Sequence, residues 1–142
     1  MNSAKNLLLV EDEAITAMAQ AHRLQHEGYN VVVAYDSEMA LEIIKSGVYK
    51  FNLILMDIDL GSGLNGIQTA DIIIAGYQIP VLFLTLNSDI RIIREAKSVS
   101  PYGYFLKSTN HSLLVEAIEM AMELGEVLML QNLSIEHKNL RL

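Results

Sequence analysis

The chain is predicted to fold as one doubly wound α/β domain, a parallel sheet of five strands with helices on both faces. Two observations lead there. Short apolar runs alternate five times with longer segments of helical spacing, and the runs are apolar at every position instead of every second one. A strand buried on both faces needs that composition, because each side of it meets a layer of helices.

The runs are Asn6–Val10, Asn30–Ala34, Leu53–Met56, Ile79–Leu84 and Tyr102–Leu106, rich in the Val and Ile that suit a pleated strand. Helical segments lie between and after them at about Glu13–Glu27, Ser37–Ser46, Asn65–Ala75, Ser88–Val99 and Thr109–Leu124. Local punctuation agrees. Gly28 is placed to close the first helix, Ser37 to cap the second, Pro80 to open the fourth strand, and Ser108 or Thr109 to cap the last helix. The length of 142 residues suits a single domain, taken as 1–125. Residues 126–142 form a tail that extends the last helix or links to a further module. The tail carries Val127, Leu128, Leu130, Leu133, Ile135, Leu140 and Leu142, and either a homodimer or packing on its own domain would cover them.

Composition removes several chemistries. Without cysteine there is no disulfide framework, thiolate metal site or Cys nucleophile. The chain is 51% hydrophobic, yet its apolar runs are far shorter than the roughly 20 residues of a membrane-spanning helix, so no membrane insertion is expected. Met1–Lys5 is polar and leads straight into a short apolar stretch, unlike a secretory signal, which makes the cytoplasm the expected location. A net charge of −7 opposes the phosphate backbone, and no direct nucleic-acid partner is expected.

Doubly wound sheets bind ligands in the crevice beyond the carboxyl ends of their strands. Here Glu11 and Asp12 follow the first run, Asp57 the third, Thr85 the fourth and Lys107 the fifth. Three carboxylates at one edge repel one another unless a cation sits among them. Oxygen ligands without Cys or an adjacent His favour a hard ion, so magnesium is expected, with manganese as its nearest substitute. A carboxylate can attack phosphorus to give an aspartyl phosphate, and the rest of phosphoryl transfer is positioning and charge neutralisation. On this reading Asp57 is the nucleophile, Lys107 contacts one phosphate oxygen as a compact cation, and the Thr85 hydroxyl donates to another. Singly, each residue has a plainer account: a solvated strand-end acid, an acid pair favouring a helix start through its dipole, a strand threonine, a surface lysine. Their joint placement at four strand ends singles them out.

At these positions the chain resembles the receiver domains of two-component response regulators, over about Asn6 to Leu124. Glu11–Asp12 is similar to the family's metal-binding acid pair, Asp57 after "NLILM" to its phosphoacceptor, and Thr85 to its switch hydroxyl. Tyr104 in "YGYFLK" falls at the switch aromatic, three residues before the matching Lys107. The resemblance implies a flavodoxin-like strand order of 2-1-3-4-5 and a magnesium shell completed by the backbone carbonyl of Asp59. It implies a phosphoryl donor that is a sensor histidine kinase or a phosphotransfer protein, and a stoichiometric change of state instead of enzymatic turnover. Thr85 and Tyr104 would then rearrange, altering the face of the fourth helix, fifth strand and fifth helix for a downstream protein.

The sequence also departs from the family's pattern. The loop "DIDLGSGLNGIQTA" is one residue longer than the common version, lacks its Pro and carries glycines. Leu86 follows Thr85 where a small residue is usual, which is expected to narrow access and slow phosphorylation or hydrolysis. Ser108 stands where a proline often follows the lysine, so the usual cis peptide bond is not implied.

Two rival readings use the same residues. Haloacid-dehalogenase-type phosphatases resemble Asp57–Ile58–Asp59, Thr85 and Lys107, but their second acid pair follows the lysine and they carry Thr or Val where Gly61 stands. A degenerate receiver acting only as an interaction module would not need all five reactive residues. His22 and His26, four apart on the first helix, lack a third ligand and read as solvated, while Met18, Met39, Met56, Met120 and Met122 read as packing residues.

Overall fold

A computed structural model describes residues 3–140 apart from 62, 87, 88 and 108, with side chains described up to residue 131. Strands and helices alternate along the chain. They are β1 (Asn6–Val10), α1 (Ala14–His26), β2 (Asn30–Ala34), α2 (Ser37–Ser46) and β3 (Leu53–Asp57), followed by α3 (Gly66–Tyr77), β4 (Val81–Thr85), α4 (Ile90–Val99), β5 (Tyr104–Leu106) and α5 (His111–Leu140). The sheet order is β2-β1-β3-β4-β5 and every pairing is parallel. This is the doubly wound, flavodoxin-like arrangement expected.

The continuous apolar runs are explained by two cores, one on each face. Side chains alternate along a strand, so Leu8, Ile54, Met56, Val81 and Phe83 pack with Ala40 and Ile44 of α2, Ile67 and Ile73 of α3, and Ala96 of α4. Leu7, Leu9, Leu53, Leu55 and Leu82 face the other way, onto Ala17 and Leu24 of α1 and Leu114 and Ile118 of α5. β3 and β4 are buried at every position.

Several boundaries differ from expectation for local reasons. Asp36, not Ser37, caps α2, its carboxylate accepting from the Met39 N–H at 2.7 Å. Asn110 serves the start of α5: its side chain accepts from the Ser112 N–H at 2.7 Å and its carbonyl from the Leu113 and Leu114 N–H groups. Thr109 therefore precedes the cap, and Ser108 lies outside the described residues. The fourth and fifth strands begin two residues later than their apolar runs, with Pro80 just ahead of β4. Ser88, the expected start of α4, also lies outside the described residues; Asp89 caps this helix through the Arg91 N–H at 2.9 Å. Gly28, at φ +97°, follows α1 as expected.

Met56 and Met122 are buried, whereas Met18, Met39 and Met120 are exposed, so the packing assignment fails for those three. They sit on helix faces turned away from the sheet. α5 continues through Gly125 to Leu140. The side chains of Leu133, Ile135 and Leu140, and the whole of Leu142, lie outside the described residues. Among the described residues no helix is long and apolar enough to cross a membrane.

Candidate functional site

Parallel pairing puts the carboxyl ends of β1, β3, β4 and β5 at one edge, and the register aligns them. Val10 stands beside Met56, Asp57 beside Leu84, and Thr85 beside Leu106. The residues that follow must therefore emerge together. Glu11 continues the line of β1 by donating its N–H to the Ala34 carbonyl at 3.0 Å. Glu11, Asp57 and Thr85 are all buried, at 3%, 5% and 1% exposure, and Asp12 is exposed.

Carboxylate oxygens of Glu11, Asp12 and Asp57 lie within 4.8 Å of one another. Lys107 reaches into this group, its Nζ 2.6 Å from Glu11 Oε2 and 3.1 Å from Asp57 Oδ2. The backbone fixes it there, because the Lys107 N–H donates to the Thr85 carbonyl at 2.9 Å. The other oxygen of Asp57 accepts from the Asp59 N–H at 3.1 Å, which places the Asp59 backbone beside the same carboxylate.

Burial, and then the neighbouring Glu11, push the Asp57 carboxyl up to about 7, with Lys107 pulling the other way. Burial also works to lower Lys107, but its hydrogen bond to Glu11 and the nearby Asp57 outweigh it and raise its pKa. When all are ionised, three carboxylates against one ammonium leave two negative charges in a mostly buried space. A hard divalent cation with oxygen ligands satisfies that donor set, and a softer metal has neither thiolate nor imidazole here.

Strand alternation divides the remaining residues. Glu11, Asp57 and Lys107 continue the parity of the side chains that face α1 and α5, whereas Thr85 and Tyr104 continue that of the opposite core. Tyr104 is half-buried against that core, beside Phe83, and Lys97 of α4 holds its Nζ 5.7 Å from the ring centroid. α4 itself buries only Ala96. Leu86, one residue beyond Thr85, is 76% exposed at the rim.

The structure brings Glu11, Asp12, Asp57 and Lys107 together at the strand ends that sequence reasoning pointed to, and that reasoning missed two features. Gly66 opens α3 directly behind Asp57: a Cβ there would lie 2.0 Å from the Asp57 carbonyl oxygen, and the Gly66 N–H donates to the Ile58 carbonyl at 2.8 Å. Its only sequence signal was a glycine just after Asn65, which forms a capping box with Gln68. The direct Glu11–Lys107 ion pair, spanning 96 residues, left no local signal. His22 and His26 meet edge to face at 5.0 Å, and the acid triad is the one metal-capable cluster among the described residues.

Comparison with known proteins agrees with this geometry. The family model of the response regulator receiver domain matches residues 7–119. The chain is 31% identical over 119 residues to the transcriptional regulatory protein PdtaR of Mycobacterium tuberculosis, covering 83% of this chain and 57% of that protein. It is 33% identical over 122 residues to the nitrogen assimilation regulatory protein NtrX of Azorhizobium caulinodans, covering 84% of this chain and 26% of that one. The chain thus spans 57% of the length of PdtaR and about a quarter of NtrX. Among solved structures, the N-terminal domain of a response regulator/sensory box/GGDEF 3-domain protein from Carboxydothermus hydrogenoformans superposes with a TM-score of 0.80. It shares 39% identity and covers 88% of this chain and 99% of that one. This chain belongs to the response regulator receiver domain family.

Proposed function

We propose that Asp57 is the phosphoacceptor of a two-component switch, set by a sensor histidine kinase or phosphotransfer protein. The observation that carries this is a buried carboxylate at the carboxyl end of the central strand, paired with Lys107 at 3.1 Å and gathered with Glu11 and Asp12. An Asp57 oxygen attacks the phosphorus of a phosphohistidine. The P–N bond breaks, and the imidazole leaves with the bonding pair and takes a proton from solvent. Glu11, Asp12, Asp57 and the Asp59 carbonyl would hold magnesium, or manganese in its place, which would supply charge neutralisation for the transfer. Lys107 turns from the carboxylates toward one phosphoryl oxygen, and the Thr85 hydroxyl donates to another.

That pull on Thr85 acts on the face it shares with Tyr104. α4 is held by little buried surface, so the α4–β5–α5 surface is where the change emerges for a downstream protein. Exposed Ile15, Met18 and Leu86 give the rim an apolar surface for the donor protein to cover. The change of state is stoichiometric, in the cytoplasm, and without direct nucleic-acid contact by this domain. The exposed Val127, Met129 and Leu130 of α5 support a homodimer or a junction with a further module. No observation favours a phosphatase.

Incubation with acetyl phosphate and Mg²⁺, followed by intact mass measurement, tests the assignment. The chain is expected to gain one phosphoryl group and Asp57→Asn none; a gain in the variant, or none in the parent, overturns it.

A further inference from the structure

The opposite edge of the sheet carries a second concavity that phosphoryl transfer does not use. A cleft of about 390 Å³ opens below the amino ends of β1, β3 and β4, between α5 and the loops that enter β3 and β4. Its walls are apolar and aromatic: Phe51 and Tyr49 stacked at 5.4 Å, with Tyr77, Ile79 and Met122 across from them. Among the described residues, Lys5 and Lys50 line it as exposed cations, against a single acid, Glu126. Two positive charges and one negative leave the lining at +1, in a chain whose net charge is −7.

The cleft is preformed. The Asn6 N–H donates to Asn52 Oδ1 at 2.8 Å, and its amide donates to the Lys50 carbonyl at 3.1 Å, which pins the loop carrying Tyr49, Lys50 and Phe51 to β1. Pro80 is tied to β3 through the Ile54 N–H at 2.9 Å. α5 crosses the floor at Gly125, where a Cβ would lie 2.7 Å from Pro80 Cγ. Pockets of a few hundred Å³, mostly apolar with a few placed polar groups, are the form that small organic ligands take up.

We propose that this cleft is a binding site for an aromatic organic anion, whose ring lies against Tyr49, Phe51 and Tyr77 while its acid group meets Lys5 and Lys50. Such a ligand would bridge α5 to the loop between α3 and β4. Its occupancy is thus communicated to the helix that leaves the domain.

The test uses the intact chain and the probe 8-anilinonaphthalene-1-sulfonate. Saturable one-to-one fluorescence enhancement is expected, with amide NMR shifts confined to residues 49–52, 77–81 and 122–129. The Lys5→Glu/Lys50→Glu variant, altered only at exposed positions, reverses both charges that meet the acid group and is expected to bind at least about tenfold more weakly. Uncharged N-phenyl-1-naphthylamine should bind the parent more weakly than the anion. Met129→Trp, which fills the cleft from an exposed position, should exclude the probe and serves as a second variant if the first fails to fold. Absence of binding, shifts that map to Ile15, Met18 and Leu86, or equal affinity for the charged and neutral probes overturns the proposal.

Discussion

Asp57 and Lys107 bind one another, and each keeps the other tolerable in a nearly dry place. Asp57 is an acid whose folded pKa, about 7, lies above its ordinary 3.8. Between those values the folded state holds a proton that the unfolded chain has released, so stability falls as pH rises through that window, and the whole cost is present above it. Asp57→Asn removes the ionisation. In a chelator-containing buffer it is expected to be more stable than the parent by about 2 kcal/mol at pH 8, with the gap closing near pH 4. Urea unfolding at both pH values measures this, and a gap that does not change with pH refutes it. Lys107→Ala has the opposite sign, since it leaves Glu11 and Asp57 buried without a counter-ion. A loss of about 3 kcal/mol at pH 8 is expected in the same experiment. The identities of these residues were legible in the sequence because each follows an apolar run by one or two positions. That Glu11 bonds Lys107 directly was not, since the contact joins β1 to β5 across β3 and β4 and leaves no trace in either segment.

At the level of elements, the strands were legible because β3 and β4 are buried at every position and the polar residues of β1 to β4 fall only at strand ends, which leaves each run apolar in its middle. The helix starts were less so. Ser37 and Thr109 are capping types, but Asp36 and Asn110, one residue earlier or later, hold the open N–H groups, and residue type alone could not decide between neighbours. The glycines of α3 show the same gap between type and place. Gly66 and Gly76 belong to the same helix, yet a Cβ at Gly66 collides with the Asp57 backbone, whereas at Gly76 it meets nothing within 4 Å. Gly66→Ala must push α3 off the end of β3, and a loss of about 2–3 kcal/mol is expected, with impaired phosphorylation because Asp57 moves too. Gly76→Ala should instead gain about 0.5–1 kcal/mol by restricting the unfolded chain. Thermal unfolding of the two variants side by side checks the pair; equal effects would mean that the close approach behind Asp57 is not a constraint.

On the scale of the whole molecule, the site exists only in the folded chain. Glu11, Asp57 and Lys107 are separated by 46 and 50 residues in sequence, and the parallel register alone assembles them. A cation bound there therefore binds the native state and not the unfolded one, and must raise global stability by mass action. At a hundredfold excess of Mg²⁺ over its dissociation constant the gain is about 2.7 kcal/mol. Part of the apo repulsion is already offset by Lys107, so the gain should be larger in Lys107→Ala, where the ion replaces the missing ammonium. Asp12→Asn should lose most of it, because Asp12 is exposed and its removal relieves little apo strain while taking one carboxylate from the cluster. Denaturant unfolding with and without Mg²⁺ across the parent and these two variants separates the terms. If Mg²⁺ stabilises Asp12→Asn as much as the parent, the ion is binding elsewhere, and the carboxyl edge of the sheet is not the metal site.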